Sequence, residues 1–191
     1  MRTPVLSLAA LVLGAAPGVA AAQNAASTRG AAPARSAAAR SADPGMTATR
    51  AVYSGVKDNL LKTASQASDS DYAFRPIAGV RTLGEVLAHV AAGQFYYCSK
   101  ALGETSPMRD DVEKTRTTKA AISDALQQSF TYCDRAYALT DAQALAMTGG
   151  QGAGVPSLIQ NAAHDNEHYG NLVTYLRLRG RVPPSSQRAG M

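Results

Sequence analysis

No apolar run in these 191 residues reaches the roughly 18 to 20 that a membrane-spanning helix needs, because Pro17 and Gly18 break the one candidate near the start. A soluble chain is expected. Basic charge is not concentrated either: residues 1–45 hold four Arg against Asp43, and residues 46–191 hold 15 basic against 13 acidic side chains. Apart from Arg177, Arg179 and Arg181 the positive charges are dispersed, which excludes the basic stripe of a nucleic-acid-binding protein. Nothing alternates with a period of two and no Asn-Gly hairpin turn occurs, so a sheet is not expected. The stretch from Gly149 to Gly154 lacks the Lys-Ser/Thr of a phosphate-binding loop and reads as a flexible connection.

The beginning of the chain is organised for export. Arg2 supplies a positive start, Val5 to Ala16 an apolar run, and Ala20-Ala21-Ala22 a small-residue cleavage site before Gln23. Residues 1–22 are therefore expected to be a cleaved signal peptide, with the mature protein periplasmic or secreted. No Cys follows the apolar run, which argues against a lipid anchor. Residues 23–45 have almost no bulky apolar side chain to offset the entropy of ordering, and read as an Ala/Arg/Ser-rich tether. That leaves one domain over residues 46–184 and a flexible tail over 185–191.

What the domain does have is helical periodicity, in four stretches. Tyr53, Val56, Leu60, Ala64 and Ala67 recur at three- and four-residue steps in a helix from about Thr47 to Ala67. A second opens with Thr82 and Glu85 as a capping box and runs to about Leu102 before Gly103, with Leu83, Val86, Leu87 and Val90 inward. Ile122, Leu126, Phe130, Cys133 and Tyr137 mark a third from about Thr118 to Leu139. The fourth starts at Pro156 and ends with Arg177 and Arg179 before Gly180. The fold class expected is all-α, a four-helix bundle with one core.

Only three histidines occur, His89 in the second helix and His164 and His168 in the fourth. A spacing of four puts the last two on one helix face about one turn apart, the way a helix offers two nitrogens to one metal ion. His89 lies on the side of its helix shared with Val86, Gly93 and Tyr96, where Gly93 leaves space beside it. Three imidazoles leave a coordination position open for water or substrate, as reactive rather than structural sites do. The run His164-Asp165-Asn166-Glu167-His168 also matches the H-x-x-E-H peptidase pattern, but no Asp or Glu follows His168 to complete that ligand set.

Several segments carry a joint resemblance: Phe74-Arg75-Pro76, Arg81 through Val90, His164 through Leu172, Tyr175-Leu176-Arg177, and Gly180 through Pro184. Together they resemble the DinB-like (DinB/YfiT-type) superfamily of metal-dependent enzymes, over roughly residues 46–184. The resemblance implies an up-down-down-up four-helix bundle and one divalent metal ion, zinc or nickel, on His89, His164 and His168. It also implies thiol chemistry, as in metal-dependent thiol S-transferases and a thiol-dependent isomerase; the function expected here is a metal-dependent hydrolase or transferase that activates water or a thiol on a small-molecule substrate. The alternative is a noncatalytic metal- or ligand-binding bundle. Low-molecular-weight thiols are cytosolic reductants, which sits poorly with export.

Glu85, one turn before His89, and Asp165, on the inner side of the fourth helix, are candidates to accept a ligand's distal N–H or to act as general base. Glu85 already has a capping role. Tyr96 and Tyr175 are candidates to line a substrate pocket. No nucleic acid or membrane span is expected, and an exposed helix face offers a surface for a homodimer. If the second and third helices run parallel, as the family topology implies, Cys98 and Cys133 approach the same end, and both a disulfide and a pair of packed thiols stay open. N-terminal sequencing of protein from fractionated cells is expected to start near Gln23, outside the cytoplasm. A chain starting at Met1 in the cytoplasm would overturn the export reading.

Overall fold

Periodic apolar residues become helices in the computed structural model, which describes residues 42–149 and 152–187. Its elements, in order, are α1 (Pro44–Gln66), α2 (Asp69–Tyr72), α3 (Leu83–Leu102), α4 (Val112–Thr115), α5 (Lys119–Tyr137), α6 (Asp141–Met147) and α7 (Gly154–Leu178), closed by a 3-10 turn at Pro184–Ser186. Among the described residues there is no strand, and no helix is long and apolar enough to cross a membrane. The four expected helices are α1, α3, α5 and α7. Three more occupy the connections, each started by a side-chain cap: Ser68 with Asp71 for α2, Asp111 for α4, and Thr140 with Gln143 for α6. Seven residues or fewer are too short for a 3.6-residue period to register, so the sequence pattern passes over them.

The ends of the domain differ from expectation. Helix α1 begins at Pro44, inside the segment expected to be tether, because Pro suits the first helical turn and the Asp141 carboxylate accepts from the Gly45 and Met46 amides at 3.0 and 2.6 Å. Met46 is buried beneath that contact. Helix α7 begins at Gly154, two residues before Pro156, with a left-handed φ of 42°. Residues 185–187, expected to be a free tail, are docked: Ser185 donates its amide to the Tyr169 hydroxyl at 2.9 Å, and Gln187 bonds Gln66. The leader, most of the tether and the last four residues lie outside the described residues.

Side-chain contacts give the direction of each helix. Gly84 near the start of α3 faces Ile122 near the start of α5, while Glu104 just beyond α3 pairs with Arg135 near the end of α5 at 2.7 Å, so these two run parallel. Helix α1 runs against α5, since Arg50 bonds the Tyr137 carbonyl and Lys119 the Ala67 carbonyl. Helix α7 runs against α3: Gln94 meets Asn161 and Asp165, and the Tyr175 hydroxyl donates to the Arg81 carbonyl. Between them lies a core of Leu60, Leu83, Leu87, Leu126, Phe130 and Leu172, with Tyr53 stacked on Tyr137 at 3.7 Å. Both tyrosine hydroxyls reach acceptors, Asp134 for Tyr53 and the Leu158 carbonyl for Tyr137, so no polar atom is stranded by their burial.

The parallel course of α3 and α5 brings Cys98 and Cys133, both fully buried, to a Cα separation of 5.3 Å, and they form a disulfide. A bridge closing a 35-residue separation restricts the unfolded chain and is worth about 3–4 kcal/mol on a loop-entropy basis. Replacing both cysteines with Ala is expected to lower the stability measured by urea unfolding by an amount of that order, and reduction of the wild type should have a similar effect.

Candidate metal centre

Helix geometry brings the three histidines to one point. His89 stands in the second turn of α3 and His164 and His168 one turn apart on α7, and because α3 and α7 run antiparallel in contact, their rings face each other across the seam. One ligand nitrogen from each lies within 4.8 Å of the others. The Nε2 atoms of His89 and His164 are 3.2 Å apart. Such an approach requires a missing side chain. Gly93 supplies it, since a Cβ there would lie 2.5 Å from Cε1 of His164.

Carboxylates stand behind two of the rings. Nδ1 of His89 is 2.7 Å from Oε1 of Glu113, whose other oxygen is 3.0 Å from the Arg81 guanidinium. Burial pushes the Glu113 carboxyl up, but the bonds to His89 and Arg81 outweigh it and hold the group below the ordinary glutamate range. Nδ1 of His164 faces Oδ1 of the fully buried Asp165 at 3.6 Å, and Gln94 donates to Oδ2 of Asp165 at 2.5 Å. Burial pushes the Asp165 carboxyl up to about 6, opposed by His164 and Gln94. His168 is pulled down to about 4, first by burial and then by the charges of His164, His89 and Arg81. It is therefore neutral near pH 7, as a metal ligand must be.

A profile of the DinB superfamily matches residues 53–172, more than half of the chain. This chain belongs to the DinB superfamily. A solved structure of a protein assigned to the DinB family, from Exiguobacterium sibiricum, is 22% identical, covering 71% of this chain and 91% of that one with a TM-score of 0.53, a likeness of fold. No curated protein matches.

In this DinB protein the donor set fits a divalent ion. Two ligand nitrogens about 2.0–2.1 Å from a tetrahedral ion are about 3.3 Å apart, close to the observed Nε2 separation. Each of these two rings has a carboxylate on its Nδ1 side, which leaves the Nε2 side to face the ion.

Three of the remaining candidates are corrected. Glu85 is exposed and spent at the start of α3, where it accepts from the Thr82 amide at 2.7 Å and pairs with Arg75. Tyr96 is 52% exposed with Lys100 over its ring, because α3 meets α7 through Gly93, Gln94 and Tyr97, which leaves Tyr96 at the edge of that contact. Tyr97 takes the place expected for Tyr96, 5.5 Å from the His164 ring. Tyr175 packs edge-on against Phe74 and pins the Arg81 carbonyl two turns below His168, rather than lining the cluster. Asp165 is at the site as expected. Glu113 was missed; its one local sign is the Asp111 cap followed by the buried Val112, which fixes α4 but does not say what α4 touches.

Substituting Gly93→Ala is expected to leave the helical circular dichroism intact, since Ala favours a helix over Gly by about 1 kcal/mol. The new methyl should displace His164 and weaken zinc binding at least about tenfold in a competition titration. Unchanged zinc affinity would show that the ring does not need that gap.

Proposed function

We propose that this DinB protein is an exported metal-dependent hydrolase, in which His89, His164 and His168 hold one divalent ion, zinc or nickel, with a position left open for water. The observation that carries this is the pair of Nε2 atoms 3.2 Å apart, each on a ring whose opposite nitrogen faces a carboxylate. The scaffold is the family's up-down-down-up four-helix bundle, a reading supported by the directions of α1, α3, α5 and α7. When bound, such an ion lowers the pKa of its water toward about 7 and polarises a carbonyl or phosphoryl oxygen.

The protein's own part is positional. Glu113, its charge balanced by Arg81, holds a proton on Nδ1 of His89 and leaves Nε2 free to bind. Tyr97 covers one side of His164 and keeps bulk water from that ring. His168 closes the third corner from one turn further along α7.

Water is preferred over a thiol as the nucleophile because the buried Cys98–Cys133 bridge, like the export pattern of residues 1–22, suits an oxidising compartment. Low-molecular-weight thiols are not kept reduced there. The substrate is accordingly a small ester, amide or related hydrolysable group rather than a thiol conjugate.

Elemental analysis of untagged protein from its native compartment is expected to find one zinc or nickel per chain, and His168→Ala should lose most of it. Equal metal content in the two proteins would sink the site. The metal-loaded wild type should hydrolyse members of an ester and amide panel; full occupancy without turnover on any of them would favour the noncatalytic binding protein instead.

A further inference from the structure

A second layer of buried polar side chains lies beneath the histidines, and its hydrogen bonds have a direction that can be traced from a fixed end. The backbone carbonyl of Leu158 can only accept, so the Tyr137 hydroxyl donates to it at 2.7 Å. That hydroxyl has spent its proton and must itself accept from Nδ2 of Asn161, 3.2 Å away. The Asn161 amide is thereby oriented, and its Nδ2 also donates to Oε1 of Gln94 at 2.9 Å. Gln94 is oriented in turn, with its Nε2 donating to Oδ2 of Asp165 at 2.5 Å. Gln94, Asn161 and Asp165 are all fully buried, so no solvent competes for these bonds.

At the end of this chain two buried atoms face each other. Among the described residues Oδ1 of Asp165 and Nδ1 of His164 each lack a hydrogen bond, and they are 3.6 Å apart, just beyond bonding distance. We propose that Asp165 is the positioning residue of His164: it accepts the Nδ1 proton and thereby turns the Nε2 lone pair toward His89 and His168. Gln94 aims that carboxylate. The use of the lone pair rests on the metal reading above, but the direction of the hydrogen bonds holds in the metal-free chain.

The assignment makes a specific demand on Asp165→Asn. Because Gln94 presents a donor, the new amide must turn its oxygen toward Gln94 and its NH2 toward His164. A donor now faces Nδ1, and the imidazole should switch to the tautomer protonated on Nε2, the nitrogen that is to bind. Glu113→Gln is the control, because it alters the partner of His89 and leaves this chain of bonds untouched.

Long-range proton–nitrogen correlation spectra of 15N-labelled, metal-free protein near pH 8 read the tautomer directly. The wild type and Glu113→Gln are expected to show His164 protonated on Nδ1, and Asp165→Asn to show it on Nε2. Zinc affinity should fall about 10–100-fold in Asp165→Asn with the helical circular dichroism retained. A wild-type His164 protonated on Nε2 overturns the proposal even if the variant does not fold, and so does an Asp165→Asn protein with unchanged tautomer and zinc affinity. A wild type with the Nδ1 proton that fails to bind zinc supports the positioning assignment and refutes the metal reading.

Discussion

The close contact of α3 with α7 is the constraint on which the rest depends. At Gly93 the two helices come near enough for an imidazole to occupy the volume of a missing side chain. One residue further along α3, Gln94 faces α7 and bonds both Asn161 and Asp165. An adjacent pair, one residue with no side chain and one with a long polar one, therefore sets both the distance between the helices and their register. A slip by one residue would point Gln94 away from Asp165 and bury an unpaired carboxylate, which costs far more than the loss of an ordinary contact. The disulfide acts on the same turn from the other side, with the sulfur of Cys133 3.3 Å from the Gln94 carbonyl.

That constraint explains which parts of the centre were legible in the sequence. Long helices repeat their apolar face five or six times, so α1, α3, α5 and α7 announced themselves, and the two histidines of α7 share one element whose geometry is known in advance. His89 could be placed on an inward side because Gly93 stands one turn away. Helix α4 has four residues and no period, and Glu113 reaches His89 only through the path of the connection after α3, a tertiary fact with no local sign. Glu85 failed as a candidate for a related reason. Its spacing of four from His89 is right for a shared face, but in the first turn its carboxylate folds back to the free Thr82 amide, a nearer donor than any imidazole.

The two carboxylates behind the imidazoles differ in how they are held, and the difference is physical rather than one of degree. Asp165 sits on the same helix as the ring it faces, has no exposure, and is braced by amides whose orientation traces back to a main-chain carbonyl. Glu113 arrives on a short helix in a connection, keeps a third of its side chain in solvent, and balances its charge against the half-exposed Arg81. Local unfolding of α4 would break few buried contacts beyond Val112 and free the Glu113 side of His89, whereas releasing Asp165 requires α3 and α7 to part.

His168 is held differently from the other two rings. Among the described residues no carboxylate bonds it, and burial together with the neighbouring rings and Arg81 outweighs the Glu113 charge and keeps it neutral. A positive charge cannot settle on that corner without meeting the same fields, and the His168 ring stands 4.4 Å from that of His164 and 4.7 Å from that of His89. Two rings have their protons drawn to the outer side by carboxylates and the third is discouraged from taking a second one. Each of those arrangements raises the electron density at the centre of the cluster, and a divalent cation relieves all three at once.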